Sequence, residues 1–312
     1  MTQLLEIKAI LVGIYKRFDH MINALTKFVV SLLIVLKLNS FLGYSSLFSK
    51  FTVNVGLALM AAFLPGSWFL LVLIAVVGLQ LFSASLEVTI VILILMLIVY
   101  FLFARLQPKY AFLVMLTPLL YSMNLIYILP LFAGLFLGIT SIIPIGIGIG
   151  VYRFSVYLPG LFELKPIDGA SLLDSPETLV NMYKYTMNAI MKDETLFLMI
   201  FVFALIIVGM DFLKKLEMDY IWYITIGVGA IVMLISFIIG DIVLDTDVSI
   251  VGLIIGTLIS AGLVAIVQFL RFSLDYKRAE KLQFEDDEYY YYVKTVPKLK
   301  ATAAQKEVIK IK

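Results

Sequence analysis

The chain has 312 residues, is 62% hydrophobic with a mean hydropathy of +1.05, and carries a formal net charge of +2. Soluble domains are about half apolar, so this composition excludes a water-soluble fold, and the near-neutral balance gives no field to attract nucleic acid. The chain contains no cysteine, which removes disulfides, thiol catalysis and Cys-ligated zinc or iron–sulfur sites from consideration.

Residues 3–19 read as an amphipathic helix. Leu4, Leu5, Ile7, Ile10, Leu11, Ile14 and Tyr15 recur at helical spacing, while Lys8, Lys16, Arg17 and Asp19 occupy the other positions. Such a helix lies in a membrane interface or packs on the protein's own face. Its charges and the lack of a small-residue cleavage pattern do not suit a cleavable signal. Between Asp19 and Glu163 the only acidic residue is Glu87.

The first apolar segment, residues 22–43, contains Lys27 and Lys37; lysines near segment ends snorkel to the interface, and the depth of Lys37 implies tilt or partial insertion. Residues 51–82 are interrupted at Pro65-Gly66-Ser67, and residues 84–104 form an uninterrupted span closed by Arg105 and Lys109. Residues 109–138 are interrupted by Ser122, Asn124 and Pro130, and residues 139–158 follow with Pro144 and Arg153. A polar region, 159–194, contains a helix start at Ser175-Pro176-Glu177, with Ser as N-cap, Pro in the first position and an acid in the first turn. Three further spans at 195–213, 219–240 and 248–271 precede a tail, each near the roughly 20 residues that cross a bilayer.

The expected fold is an all-α polytopic membrane protein with about six to eight membrane segments, some broken or re-entrant, and a short β-prone cytoplasmic tail. Its expected divisions are an interfacial helix (1–20), a first bundle (21–158), a polar loop with an amphipathic helix (159–194), a second bundle of three helices (195–271) and the tail (272–312). Lys214 and Lys215, and Arg271, Lys277, Arg278 and Lys281, place their segments inside, because short cytoplasmic loops are enriched in Lys and Arg. That parity requires 51–82 and 109–138 to be broken hairpins entering from opposite faces, an arrangement found in transporters with a midplane site. A single kinked helix in each stretch is the alternative, since membrane helices tolerate Pro and Gly.

Candidate solute-binding residues are Glu87, Asn124, Gly146 and Gly148. A carboxylate within a span is costly and often functional, although Glu87 beside Ser83, Ser85 and Thr89 also suits a helix N-terminus at the interface. The run Pro144-Ile-Gly-Ile-Gly-Ile-Gly150 reads as a tight helix contact or as unwound backbone lining a cavity. The pairs Gly134/Gly138 and Gly252/Gly256 read as packing. Asp241, Asp245 and Asp247 lack calcium-loop spacing, and His20 has no second histidine. No metal or cofactor is expected. Asp211 is explained by an ion pair with Lys214 or Lys215.

The tail places an acidic cluster, Glu285 to Glu288, before Tyr289, Tyr290, Tyr291 and Tyr292. This β-prone run sets aromatic rings on both faces of a strand, suited to adding to a partner's sheet edge, to a neighbouring strand of its own or to a second subunit. Phe284 and the four tyrosines are the candidate partner-binding residues. Residues 298–312 are basic and suited to anionic headgroups. Arg105-Leu-Gln-Pro-Lys-Tyr110, together with the tail from Phe284 to Lys294, resembles an uncharacterised group of multi-spanning membrane proteins from anaerobic low-GC Gram-positive bacteria. The resemblance implies a bacterial plasma membrane and no activity. The expected role is a membrane scaffold or assembly subunit that engages a protein through its tail, with a permease for a hydrophobic or amphiphilic solute as the alternative. An enzyme is not expected, because there is no metal cluster, no His or Cys pair and no Gly-x-Ser-x-Gly.

Overall fold

A computed structural model describes residues 2–163, 176–246, 249–271 and 279–297. Helices α1 (Thr2–Arg17), α2 (Asp19–Leu42), α3 (Phe51–Phe63), α4 (Gly66–Phe82) and α5 (Leu86–Val99, continued by a π turn over Tyr100–Ala104) come first. Helices α6 (Ala111–Ser122), α7 (Ile128–Phe136) and α8 (Ile142–Glu163) follow. The last helices are α9 (Pro176–Met191), α10 (Glu194–Leu213), α11 (Ile221–Leu244) and α12 (Ile250–Arg271). Strands β1 (Glu280–Glu285) and β2 (Tyr290–Thr295) close the described chain.

Among the described residues, six helices are long and apolar enough to cross a membrane: α2, α5 with its π turn, α8 with the turn before it, α10, α11 and α12. The 20 residues of α10 rise by about 30 Å, the thickness of a hydrocarbon core. Large apolar side chains cover the outside of these helices, with Phe201, Phe212, Ile239 and Ile242 all exposed. Helices apolar all round belong in lipid, so the chain is a multi-pass membrane protein. Its largest core lies where α7, α8, α10, α11 and α12 meet, around Leu131, Ile149, Ile207 and Met233.

Side-chain contacts orient the two interrupted segments. Asn39 near the end of α2 donates to Asn54 Oδ1 at the start of α3 (2.6 Å), and Gln80 near the end of α4 donates to Asn39 Oδ1 (2.5 Å). Thus α4 returns to the level at which α3 began. Its other end, Gly66, sits against the backbone of Phe112 and Pro108 at the start of α6. The turn between them is an extended Leu64-Pro65 pair, the backbone that a residue preceding proline favours.

The second segment turns the opposite way. Helix α6 starts beside Thr140, which donates to Tyr110 Oη, and ends with Tyr121 stacked on Tyr152 of α8. It then breaks at residues 123–127, where Asn124 adopts a left-handed φ of 56°. Helix α7 runs back until Phe136 lies under Arg271 at the end of α12. Each interrupted segment is therefore a hairpin, and the two tips point toward opposite ends of the bundle. The ends are named here by α10, which runs from an Asp193 end to a Lys214 end.

Several local expectations shift. Pro130 does not interrupt its segment: it is the third residue of α7, in the first turn, where its missing N–H costs nothing. Helix α8 runs past the expected boundary at 158, through Pro159, to Glu163. The glycine run is regular helix. Helix α9 begins at Pro176 as read, with Ser175 outside the described residues.

Candidate functional site

Glu87 lies in the first turn of α5. Ser85 caps that helix by accepting from Val88 N, and its hydroxyl donates to Glu87 Oε2 (2.6 Å). The position suits a carboxylate at the positive end of a helix dipole. Asn124 is in the hairpin tip, where its carbonyl and the Tyr127 ring crowd Gly256 of α12. Gly148 faces the Thr117 side chain so closely that a Cβ would collide with it, whereas Gly146 is in ordinary contact with Ile200. These four residues have separate neighbours.

The tail residues do converge. β1 and β2 pair antiparallel, with Phe284 opposite Tyr291, Leu282 opposite Val293 and Gln283 opposite Tyr292. The pleat period of two sets Leu282, Phe284, Tyr291 and Val293 on one face and Tyr290 and Tyr292 on the other. Phe284 and Tyr291 stack with centroids 5.0 Å apart. The acidic cluster forms the turn: Asp286 Oδ1 accepts from Glu288 N and Tyr289 N, and Asp286 Oδ2 accepts from Tyr291 Oη. Those backbone donors, with the tyrosine, hold its carboxyl below the usual range. All twelve strand residues are exposed. An ion pair from Lys294 to Asp219 (2.6 Å) ties the hairpin to the α10–α11 loop, at the Lys214 end.

Two polar clusters brace the bundle. At the Asp193 end, Asp193 caps α10 by accepting from Leu196 N (3.0 Å), and it takes both Arg153 Nε (2.7 Å) and an Arg153 terminal nitrogen (2.8 Å). Tyr157 Oη also donates to it, at 2.9 Å. Burial pushes the Asp193 carboxyl up, but the Arg153 hydrogen bonds, the Leu196 N–H and Tyr157 together hold it below its ordinary value. At the Lys214 end, Lys214 donates to the Gly134 and Leu135 carbonyls that end α7 (2.9 and 3.2 Å) and pairs with Asp211 (2.8 Å). Lys215 pairs with Asp211 too, at 2.7 Å. A cation thus satisfies carbonyls that a helix end leaves without partners.

Sequence reading anticipated the Asp211 pairs. It missed that Arg153 and Asp193 meet across 40 positions, and it missed the Asn39–Asn54–Gln80 network. The available signal was the presence of a lone guanidinium and lone amides inside apolar spans, where polar groups are expected to find partners. No family model, curated protein or solved structure matches the chain.

Proposed function

We propose that this chain is an integral scaffold or assembly subunit of a bacterial plasma membrane whose tail hairpin docks a soluble protein on the cytoplasmic side. The observation that carries this reading is the hairpin itself, which exposes Leu282, Phe284, Tyr291 and Val293 on one face instead of burying them against the bundle. A two-stranded hairpin is marginal alone, and a partner that covers this face or extends an edge by strand addition stabilises it. The acidic turn selects a partner with a basic rim, since complementary charge sets orientation and encounter rate. The apolar side chains Ile7, Ile10, Leu11 and Ile14 of α1 are exposed, which supports a helix lying in the membrane interface beside the same docking platform.

A photocrosslinker at Tyr292 in living cells, compared with one at Phe201, identifies the partner, which is then purified and titrated against the full-length protein. Phe284→Ser and Tyr291→Ser should each weaken that binding by about 30-fold, the loss typical of a hot-spot residue. Crosslinking at Tyr292 no stronger than at Phe201, or binding indifferent to both substitutions, overturns the reading.

The opposed hairpins favour a second reading, a permease for an amphiphilic solute, because paired broken elements of this kind surround transport sites. Removal of residues 282–312 separates the two: a scaffold loses its partner, and a self-contained permease keeps its flux in proteoliposomes.

A further inference from the structure

We propose that a crevice between α2, the α3/α4 tip and the start of α6 binds the phosphate headgroup of an anionic membrane lipid. The crevice encloses about 580 Å³ and is lined by His20, Lys27 and Lys109 together with Ser31, Phe69 and Phe112. Among its lining residues there is no carboxylate. The adjacent Asp19 accepts from Nδ2 of Asn23, a lining residue, at 2.8 Å.

Three features favour an anion here. Lys27 lies on an apolar span, eight positions beyond the start of α2, so its Cα is about 12 Å along the helix from that of Asp19. A cation at such depth calls for a polar counterpart, and the crevice supplies space for one. Lys109 lines the same space from the loop before α6, so lysines from two different elements border it. The N-termini of α4, of 17 residues, and α6, of 12, both border it, and the positive dipole ends of helices favour negative charge.

The lining also selects a lipid over a soluble anion. Val30, Phe69 and Phe112 give the crevice an apolar wall. Phe63 at the tip is 84% exposed and Trp68 in the first turn of α4 is 59% exposed. A tryptophan so placed marks the headgroup level of a bilayer. A phosphate between Lys27 and Lys109 would leave its acyl chains against that wall and the outer surface of α2, where Leu25, Val29 and Leu33 are exposed.

Native mass spectrometry of the full-length protein in neutral detergent tests the assignment, with dioleoyl phosphatidic acid and dioleoyl phosphatidylcholine as probes. Phosphatidic acid should bind in preference to phosphatidylcholine. Lys27→Gln combined with Lys109→Gln should weaken it by about 30-fold, from the usual worth of two lysines near an anionic lipid. Lys27→Arg keeps the charge and should keep the lipid. Lys184→Gln with Lys192→Gln, on the exposed surface of α9 and the turn after it, should change nothing. An unchanged affinity in the Lys27→Gln, Lys109→Gln protein, with its lipid-free melting temperature also unchanged, overturns the proposal. So does an equal preference for phosphatidylcholine. Displacement of the lipid by inorganic phosphate would identify a soluble anion and overturn the lipid assignment.

Discussion

Removing charge from Asp193 while keeping its cap tests whether the Arg153–Asp193 pair clamps α8 to α10. The Asp193 side chain is 1% exposed and that of Arg153 is 21% exposed, so the carboxylate has no route to water but the guanidinium has a partial one. Asp193→Asn retains an acceptor for Leu196 N, because Asn is as good an N-cap as Asp, and it loses the charge together with the second oxygen, which accepts from Arg153 Nε and Tyr157 Oη. Its cost should be about 2 kcal/mol, below the 3–5 kcal/mol for a fully buried pair, because Arg153 rehydrates in part. Asp193→Ala also loses the cap, worth about 1 kcal/mol, for a total of about 3 kcal/mol. Arg153→Leu strands the carboxylate and should cost about as much as Asp193→Ala or slightly more, and a double-mutant cycle of Arg153→Leu with Asp193→Asn should return a coupling of about 2 kcal/mol. Reversible unfolding in mixed detergent and SDS micelles measures each value. Equal, sub-0.5 kcal/mol effects (about the scatter of neutral substitutions) for Asp193→Asn and Asp193→Ala would refute the clamp. The same carboxyl titrates lower in the folded chain than in the unfolded one. Its contribution is complete above the unfolded value of about 4 and fades as pH falls through the folded value. That acid loss should be smaller in Asp193→Asn.

Glycine spacing on α8 gives a second test: Gly148→Ala should cost about 1–3 kcal/mol by overpacking against Thr117, while Gly146→Ala, in ordinary contact with Ile200, should be neutral or gain the helix propensity of alanine. Unfolding curves that rank the two alike contradict the packing. Lys214→Met removes the cation from the α7 carbonyls and from Asp211 and should destabilise by about 2 kcal/mol, since charged hydrogen bonds are worth about 1.5–3; a wild-type melting curve would show that α7 ends without its help. Finally, the cysteine-free chain allows single-cysteine mapping. Ser83→Cys at the Asp193 end and Thr140→Cys at the Lys214 end should react with an impermeant thiol reagent from opposite sides of the membrane, Ser83→Cys from outside. Labelling of both from one side would break the hairpin topology.

Hydropathy and composition located the membrane segments. Runs such as 84–104 and 195–213 have no alternative to lipid, and they became α5 with its π turn and α10. Pro65 and the polar pair Ser122 and Asn124 marked both breaks, because proline restricts the preceding backbone and a left-handed turn suits asparagine. Charge parity suggested hairpins but left a kinked helix open. That choice needed the Asn39–Asn54–Gln80 bonds and the return of Gly134 to Lys214, which join positions 15 to 80 residues apart.

In the tail, the acidic-aromatic composition announced an ordered segment, whereas the antiparallel register with β1 decided which rings share a face. His20, Lys27 and Lys109 are unremarkable as separate letters in the sequence. They become one crevice only because the α3/α4 tip descends between α2 and α6. One-dimensional patterns fix which segments leave water, since transfer free energy is a sum over residues. Which polar groups then meet depends on how helices of similar apolar character pack, and that choice rests on sterics and hydrogen bonds between distant positions.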